Sequence, residues 1–333
     1  MKRKTAVLLV LALLLELQAL FPAFADSADE EAAVAEWTVL VYFCGSDLES
    51  KHGMATAALE DIAETMPLEA MFAEELSLKR FQPEELRAYG KVNVVVETGG
   101  CSQWQYSDTL GIDIAEDALQ RYEYTPLSEG APYELVMELP LQSMAAPETL
   151  SDFIQWGAVN YPARRYCLVL WDHGDGGRTG LLSDELFGGD VLYLNSLEQA
   201  LQSAGVRFEA VLLDACLMAN LETACALKDH AAYMIASEEQ LSGYGSCFDK
   251  WLQALYENPK YNGKQLGKVI CNLAEVKYAN LADRMPAAIL TFSVIELSRI
   301  DRVADCFDRW FAMIGEAYER DADLTGNLFE LIN

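Results

Sequence analysis

Short runs of β-branched and aromatic residues recur along this chain, separated by helical patterns, and that alternation restricts its fold more than any other feature. Trp37 to Phe43 reads WTVLVYF, Val92 to Val96 reads VNVVV and Tyr166 to Trp171 reads YCLVLW. Ala210 to Leu213, ending in Asp214, and Tyr233 to Ser237 complete a set of five. These runs lack the strict polar–apolar alternation of a strand with one wet face, so they read as parallel strands buried on both sides. Helical patterns fall at about Met54 to Thr65, Pro147 to Val159, Ser196 to Ala204 and Leu217 to Lys228. Asn195 followed by Glu198 has the form of a capping box, and Gly205 stands where a helix would stop. Strands joined through helices imply right-handed crossovers. The expected class is α/β, a mostly parallel central sheet flanked by helices on both faces.

The stretch from Ser102 to Pro140 is less regular. Extended pieces at Leu119 to Tyr124 and Glu134 to Leu139 suggest a small antiparallel attachment, and Thr291 to Ile295 would add another strand. Ile300, Val303, Phe307, Trp310 and Ile314 mark one face of a later helix. No repeat or low-complexity linker divides residues 26–333, which read as one large domain or two fused subdomains.

At the amino terminus Lys2, Arg3 and Lys4 precede an apolar run from Ala6 to Leu15 that continues to about Phe21, and Ala23-Phe24-Ala25 follows. Residues 1–25 therefore read as a secretory signal peptide, interrupted by Glu16 and Gln18 in a way that disfavours a permanent span. An uncleaved anchor is the alternative. No cysteine follows the cleavage site to carry a lipid, and no second run is long enough to span a bilayer. The expected location is outside the cell or in its envelope, without a stable membrane anchor.

The 333 residues carry 24 Lys plus Arg against 52 Asp plus Glu, a formal charge of -28. A surface this acidic repels phosphate backbones, so no nucleic-acid partner is expected, whereas cations and basic peptides are favoured. The 8 cysteines form no Cys-x-x-Cys pair and stand near no histidine cluster, which excludes zinc-ribbon and thioredoxin-like readings. With 3 histidines, imidazole chemistry must use His52, His173 or His230.

In open parallel sheets, function concentrates at the carboxyl ends of strands. Two such ends stand out: Trp171-Asp172-His173-Gly174-Asp175-Gly176-Gly177 and Asp214-Ala215-Cys216-Leu217-Met218. If the loops are neighbours, Cys216 can attack a carbonyl while His173 takes the thiol proton and later returns it to the leaving group. The Gly174 and Cys216 amides would hold the oxyanion, and a helix starting near Leu217 would favour the thiolate. The alternatives are an inert buried cysteine and a histidine that merely serves a glycine-rich turn.

The strings WTVLVYFCGSDLES, PETLSDFIQWGAVNYPARRYCLVLWDHGDGG and VLLDACLMANLETA resemble the clostripain family of cysteine endopeptidases, which have the caspase-like fold. The resemblance runs from about Trp37 to the end of the chain and is strongest around His173 and Cys216. It implies that these two residues form the catalytic dyad, and that Asp214 lines the primary pocket and selects Arg or Lys on the acyl side of the cleaved bond. A carboxylate at a strand end suits a guanidinium; the alternative is a structural Asp satisfied by backbone amides. The segment from Ala236 to Gly245 resembles the loop bordering that pocket, so Ser237 and Glu238 become candidate substrate contacts, with an exposed charge as the alternative for Glu238. Ser246-Cys247-Phe248 departs from the family, where a Trp commonly follows the glycine.

The dyad chemistry requires no cofactor. Some relatives use calcium, for which Asp175, Asp184, Glu185 and Asp190 offer oxygen ligands without an EF-hand spacing. Some also cut themselves between the histidine and the cysteine, where Arg178 is a better candidate than Arg207; Lys79-Arg80 is another site. His52 and His230 read as structural or exposed. The chain stops at Asn333 inside a helical pattern, Leu328 to Ile332, where relatives usually continue. The expected activity is that of a secreted cysteine endopeptidase acting on proteins or peptides with Arg or Lys at the cleavage site. The rival is a catalytically inactive binding or adhesion protein on the same fold. A serine or metal hydrolase is excluded by the absence of a Gly-x-Ser-x-Gly elbow and of clustered histidines.

Overall fold

The apolar rows read from the sequence pair side by side. The computed structural model describes residues 34–65, 92–126, 131–243, 245–281 and 291–320; the expected signal peptide, Lys79-Arg80 and the pattern at Leu328 to Ile332 lie outside them. The strands are β1 (Ala35–Cys44), β2 (Val92–Gly99), β3 (Ala118–Tyr124), β4 (Tyr133–Pro140), β5 (Ala163–Trp171), β6 (Leu181–Asp184), β7 (Asp190–Leu192), β8 (Phe208–Asp214), β9 (Ala231–Ser237) and β10 (Phe292–Glu296). Eight of them form one sheet in the order β10-β9-β8-β5-β1-β2-β3-β4, and β6 and β7 make a separate hairpin. β9, β8, β5, β1 and β2 run parallel, as expected from the five apolar runs. β3, β4 and β10 are antiparallel to their neighbours. The irregular stretch forms the expected antiparallel attachment, as two strands that extend the main sheet beyond β2.

Strand periodicity sorts each row to one face. Val96, Val41, Val169, Leu212 and Ile235 are register partners across five strands and belong to one buried cluster. Val95, Leu40, Leu168, Val211 and Met234, one residue earlier, belong to the other. Helices cover both faces. In chain order they are α1 (Ser46–Ser50), α2 (Met54–Ala63), α3 (Pro147–Asn160), α4 (Gly176–Thr179), α5 (Leu194–Ala204), α6 (Leu221–Leu227), α7 (Phe248–Glu257), α8 (Gly263–Leu281) and α9 (Ile300–Arg320). Leu59 of α2, Trp251 of α7 and Ile270 of α8 pack on the first cluster. Phe153 of α3, Leu201 of α5 and Leu227 of α6 pack on the second. The apolar face of α9 forms as a pattern, yet Ile300 is its buried residue and Val303, Phe307 and Trp310 are exposed.

Two local expectations are corrected. α5 starts at Leu194 with Tyr193 as N-cap, so Asn195 and Glu198 make no capping box; Gly205 does stop the helix, in a left-handed conformation at φ 67°. The helix expected from Leu217 begins at Leu221 behind an Asn220 cap whose side chain accepts from Thr223 N at 2.8 Å. The intervening residues are drawn to the sheet, since Leu217 N donates to Glu239 O and Ala219 N to Ser237 O. Cys216 therefore sits on a loop and not at a helix start.

Candidate active site

β5 and β8 are neighbours, and the last pair in their register is Trp171 with Asp214. The residues that follow each strand must therefore meet. At Gly174 a Cβ would lie 2.3 Å from the Cys216 carbonyl oxygen and 3.0 Å from the Ala215 Cβ. Only a residue without a side chain permits that approach, and it brings the His173 and Cys216 loops together. Asp175 N donates to Gly180 O and Leu182 N to His173 O, an antiparallel bridge that leaves the N–H of Gly174 outside the paired bonds.

His173 is half exposed, and its Nε2 lies 2.7 Å from Asp47 Oδ1. Cys216 is partly buried. Its Sγ receives the Leu241 N–H at 3.1 Å and lies 3.5 Å from Leu241 O. Cys44, Cys101, Cys167 and Cys247 are buried instead, and burial pushes each of these thiols up. All eight cysteines are free.

His173 and Cys216 line two adjoining hollows. One, of about 270 Å³, is bounded by Trp171, Asp214, Leu241, Ser242 and Gly245. The other, of about 300 Å³, is bounded by the β6–β7 residues Leu181, Leu182 and Val191 with Leu217 and Gln240. α4, which contains Arg178, lies between Asp175 and Gly180 at the edge of this second hollow.

Asp214 is buried at the first hollow. Its Oδ2 accepts from Ser246 N at 3.1 Å and Ser246 Oγ at 2.7 Å, while its buried Oδ1 has no partner among the described residues. Desolvation pushes this carboxyl up to about 6, against the opposing pull of the Ser246 hydrogen bonds. A buried carboxylate with one unpartnered oxygen is costly alone, and a cationic hydrogen-bond donor would offset that cost. Ser246, where the family commonly has Trp, is thus the support of Asp214, and Trp251 donates in turn to Ser246 Oγ at 3.4 Å.

The structure separates Ser237 and Glu238 from this group. Ser237 Oγ lies 2.9 Å from Thr291 Oγ1, and Glu238 Oε1 accepts from Ser293 Oγ at 2.9 Å, so both side chains turn to β10 and the segment before it. The walls come instead from Gln240 to Gly243 and Gly245 of the same loop. Of the four carboxylates considered for calcium, Asp184 and Asp190 are register partners in the β6–β7 hairpin, and Asp184, Glu185 and Asp190 each accept hydrogen bonds from the protein. Asp184 is buried, with Oδ2 held by Met144 N at 2.7 Å and Oδ1 by Leu186 N and Phe187 N. Glu185 accepts from Ser102 N at 3.0 Å, and Asp190 faces Ser143 at 3.2 Å. Among the described residues no group of three or more His, Cys, Asp or Glu could hold a metal. His52 is exposed, and the His230 backbone closes the end of α6 by donating to Leu227 O.

Two residues that the sequence reading passed over complete the site. Asp47 contacts the imidazole, and Asp172 is buried beneath it, accepting from Ser46 Oγ and Ser183 N, each at 2.5 Å. Burial pushes Asp172 up to about 6. Ser46, Leu182, Leu217 and Cys247 are the non-glycine residues with left-handed backbone among those described, at φ 48°, 60°, 62° and 61°. Each adjoins a residue named above: Asp47, Ser183, Cys216 or Ser246. Such conformations are costly and persist where the surroundings impose them, commonly at functional sites.

The model of the clostripain family matches residues 80–325. No curated protein matches significantly. Among solved structures, a secreted C11 cysteine protease from Bacteroides thetaiotaomicron bound to an irreversible peptide inhibitor is 20% identical, with a TM-score of 0.60 over 81% of this chain and 69% of that one. The structure of the secreted C11 protease of that organism called iotapain is 18% identical, with a TM-score of 0.58 over 82% of this chain and 69% of that one. An inactive zymogen C11 protease from Parabacteroides distasonis is 23% identical, with a TM-score of 0.56 over 82% and 65%. These likenesses bear on the fold, a mixed, mostly parallel eight-stranded sheet of the caspase-like type.

Proposed function

Because the chain belongs to the clostripain family and is a cysteine peptidase, we propose that it is a secreted endopeptidase that cleaves after Arg or Lys through Cys216 and His173. The observation that carries this reading is the hollow shared by His173, Cys216 and the buried, half-satisfied Asp214. A guanidinium or ammonium entering it would supply the hydrogen bond that Asp214 Oδ1 lacks. A neutral side chain would leave that oxygen desolvated and unpaired, which is the basis of discrimination.

With the basic side chain bound, the following carbonyl lies over the thiol. Cys216 Sγ bonds to the carbonyl carbon as its proton passes to His173, and the C=O electron pair moves to oxygen. The N–H groups of Gly174 and Cys216 stabilise that oxyanion. When the tetrahedral intermediate collapses, the C–N bond breaks, His173 protonates the departing amine and an acyl-enzyme remains. Water, deprotonated by His173, then attacks the thioester and releases the acid and the thiol. No step of this chemistry needs a metal. The run of residues 1–25 supports export; among the described residues no helix is long and apolar enough to cross a membrane.

Fluorogenic peptides ending in Arg, Lys, Asp or Leu before the reporter test this reading. The wild type should cleave the Arg or Lys peptides and Cys216→Ala should not. Cleavage of the Asp or Leu peptides but not the basic ones removes the role given to Asp214. Folded protein that cleaves none of the peptides, with or without calcium, is a binding protein on this fold.

A further inference from the structure

Mechanisms of this kind need more than a nearby imidazole, because the ring must present one chosen nitrogen and hold it there. The His173 backbone is fixed by the bond from Leu182 N to its carbonyl, but the half-exposed ring must be fixed by something else. We infer that Asp47 is a positioning residue for His173, holding the imidazole as its Nε2–H tautomer so that Nδ1 is the nitrogen that receives the Cys216 proton. This rests on the role of His173 as the base.

The contact is built by strand register. β1 and β5 are parallel neighbours with Phe43 opposite Trp171, so the chain leaves both strands at the same level. Beyond β1, Gly45 N and Ser46 N still bond to Gly99 O and Gly100 O of the β2 side. Ser46 then turns through its left-handed conformation, at φ 48°, and starts α1. Two successive rungs cross from this turn to the end of β5. Ser46 Oγ donates to Asp172 Oδ1 at 2.5 Å, and Asp47 Oδ1 meets His173 Nε2 at 2.7 Å. The first rung is buried and sets the height of the second.

The direction of the second rung is fixed by chemistry. An ionised carboxylate only accepts hydrogen bonds, so Nε2 carries the proton. Asp47 is ionised, since its bond to His173 and then its bond to Lys51 hold its carboxyl below the ordinary carboxylate range. Lys51 Nζ occupies Asp47 Oδ2 at 3.0 Å, which leaves Oδ1 for the ring. With Nε2 committed as a donor, Nδ1 is the bare nitrogen. Once it takes the thiol proton, the imidazolium faces a carboxylate that stabilises its charge.

Asp47→Ala, Asp47→Asn and Asp47→Glu, assayed on an Arg peptide, separate positioning from structure. Asp47 is a partly exposed surface side chain, so the variants should keep the wild-type melting profile. Asp47→Ala should lower kcat by a part of the roughly 100- to 10,000-fold that positioned proton transfer supplies, with KM close to that of wild type. Asp47→Asn should fall between, and Asp47→Glu should recover most of the rate. An unchanged kcat in Asp47→Ala, or a loss confined to KM, overturns the inference. A second readout does not depend on catalysis: the ¹⁵N imidazole spectrum of Cys216→Ala, with His173 assigned by removing it from a set of three histidines. It should show a protonated, hydrogen-bonded Nε2 and a bare Nδ1, and the double variant with Asp47→Ala should show a tautomer mixture. Identical spectra overturn the role of Asp47 even if no peptide is cleaved. A wild type that cleaves nothing while its spectrum shifts with Asp47→Ala removes the peptidase reading and leaves the tautomer assignment standing.

Discussion

Asp214 has two unequal oxygens, and that inequality sets how the pocket responds to pH. Ser246 holds Oδ2 through both its N–H and its hydroxyl, while Oδ1 is buried without a partner among the described residues. Burial raises the carboxyl to about 6, above the roughly 3.9 of an unfolded Asp. Between these values the folded state binds more protons than the unfolded one, so this group's contribution to stability falls as pH rises through the window. Recognition of a cation runs the other way, because it needs the ionised form. KM for an Arg peptide should therefore climb as pH drops below about 6, while the chain's resistance to urea gains from the same proton. Asp214→Asn should raise KM about 10- to 100-fold, as expected for losing a hydrogen bond to a charged group, and should flatten its dependence on pH across that window. Steady-state kinetics beside urea titrations measure both halves; a KM that keeps its acid rise in Asp214→Asn assigns the titration to another group.

At the scale of elements, a buried ion pair links the parallel core to the antiparallel β3. Glu97 of β2 and Arg121 of β3 are register partners, with Nε 2.5 Å from Oε2. Arg121 also reaches Asp152 of α3 at 2.6 Å and lies 4.8 Å from the Trp156 ring centre. Burial raises Glu97 to about 7 against the pull of that arginine. Arg121→Met should cost about 3–5 kcal/mol above neutral pH, because it leaves a buried carboxylate alone. The loss should shrink as pH falls, and should begin to do so above 7, because without the arginine that lowers it Glu97 takes its proton more readily; a second change, Glu97→Leu, should restore much of the stability, and urea unfolding of both variants decides. The five parallel strands were legible because burial on both faces leaves an apolar run that needs no context. α7 carried its own signal in Phe248, Trp251, Leu252 and Leu255, spaced as one helical face, yet the sequence reading did not use it. The start of α6 was not legible, since Leu217 and Ala219 are held by carbonyls of Glu239 and Ser237, a pairing that local pattern does not encode. The site divides in the same way. His173, Cys216 and Asp214 stand at strand ends, where an open sheet presents reactive groups. Asp47 reaches His173 across 126 residues and Ser246 reaches Asp214 across 32, so their parts emerge only from register. Ser237 and Glu238 were expected at the pocket wall, but Thr291 before β10 and Ser293 within it hold their side chains.

The whole molecule adds a field to these contacts. With a formal charge of -28, the chain should attract basic peptides over distances that one carboxylate cannot reach, and low ionic strength should speed their association. Raising salt from about 0.01 M to about 0.15 M shortens the Debye length from roughly 30 Å to roughly 8 Å. The long-range attraction should fade over that interval, whereas the contact with Asp214, buried and water-poor, should be screened far less. The two contributions can therefore be separated in one experiment. kcat/KM for an Arg peptide with basic flanks should fall with salt, and for an Arg peptide with acidic flanks it should hold or rise. Asp214→Asn should lower both while leaving their salt slopes almost unchanged, because it removes one charge among 52 acidic residues. The ratio of wild type to Asp214→Asn should persist at high salt. If instead that ratio collapses with salt, recognition lies in the diffuse surface charge and not in the pocket; if the two peptides share one slope, the surface charge does not guide substrates at all.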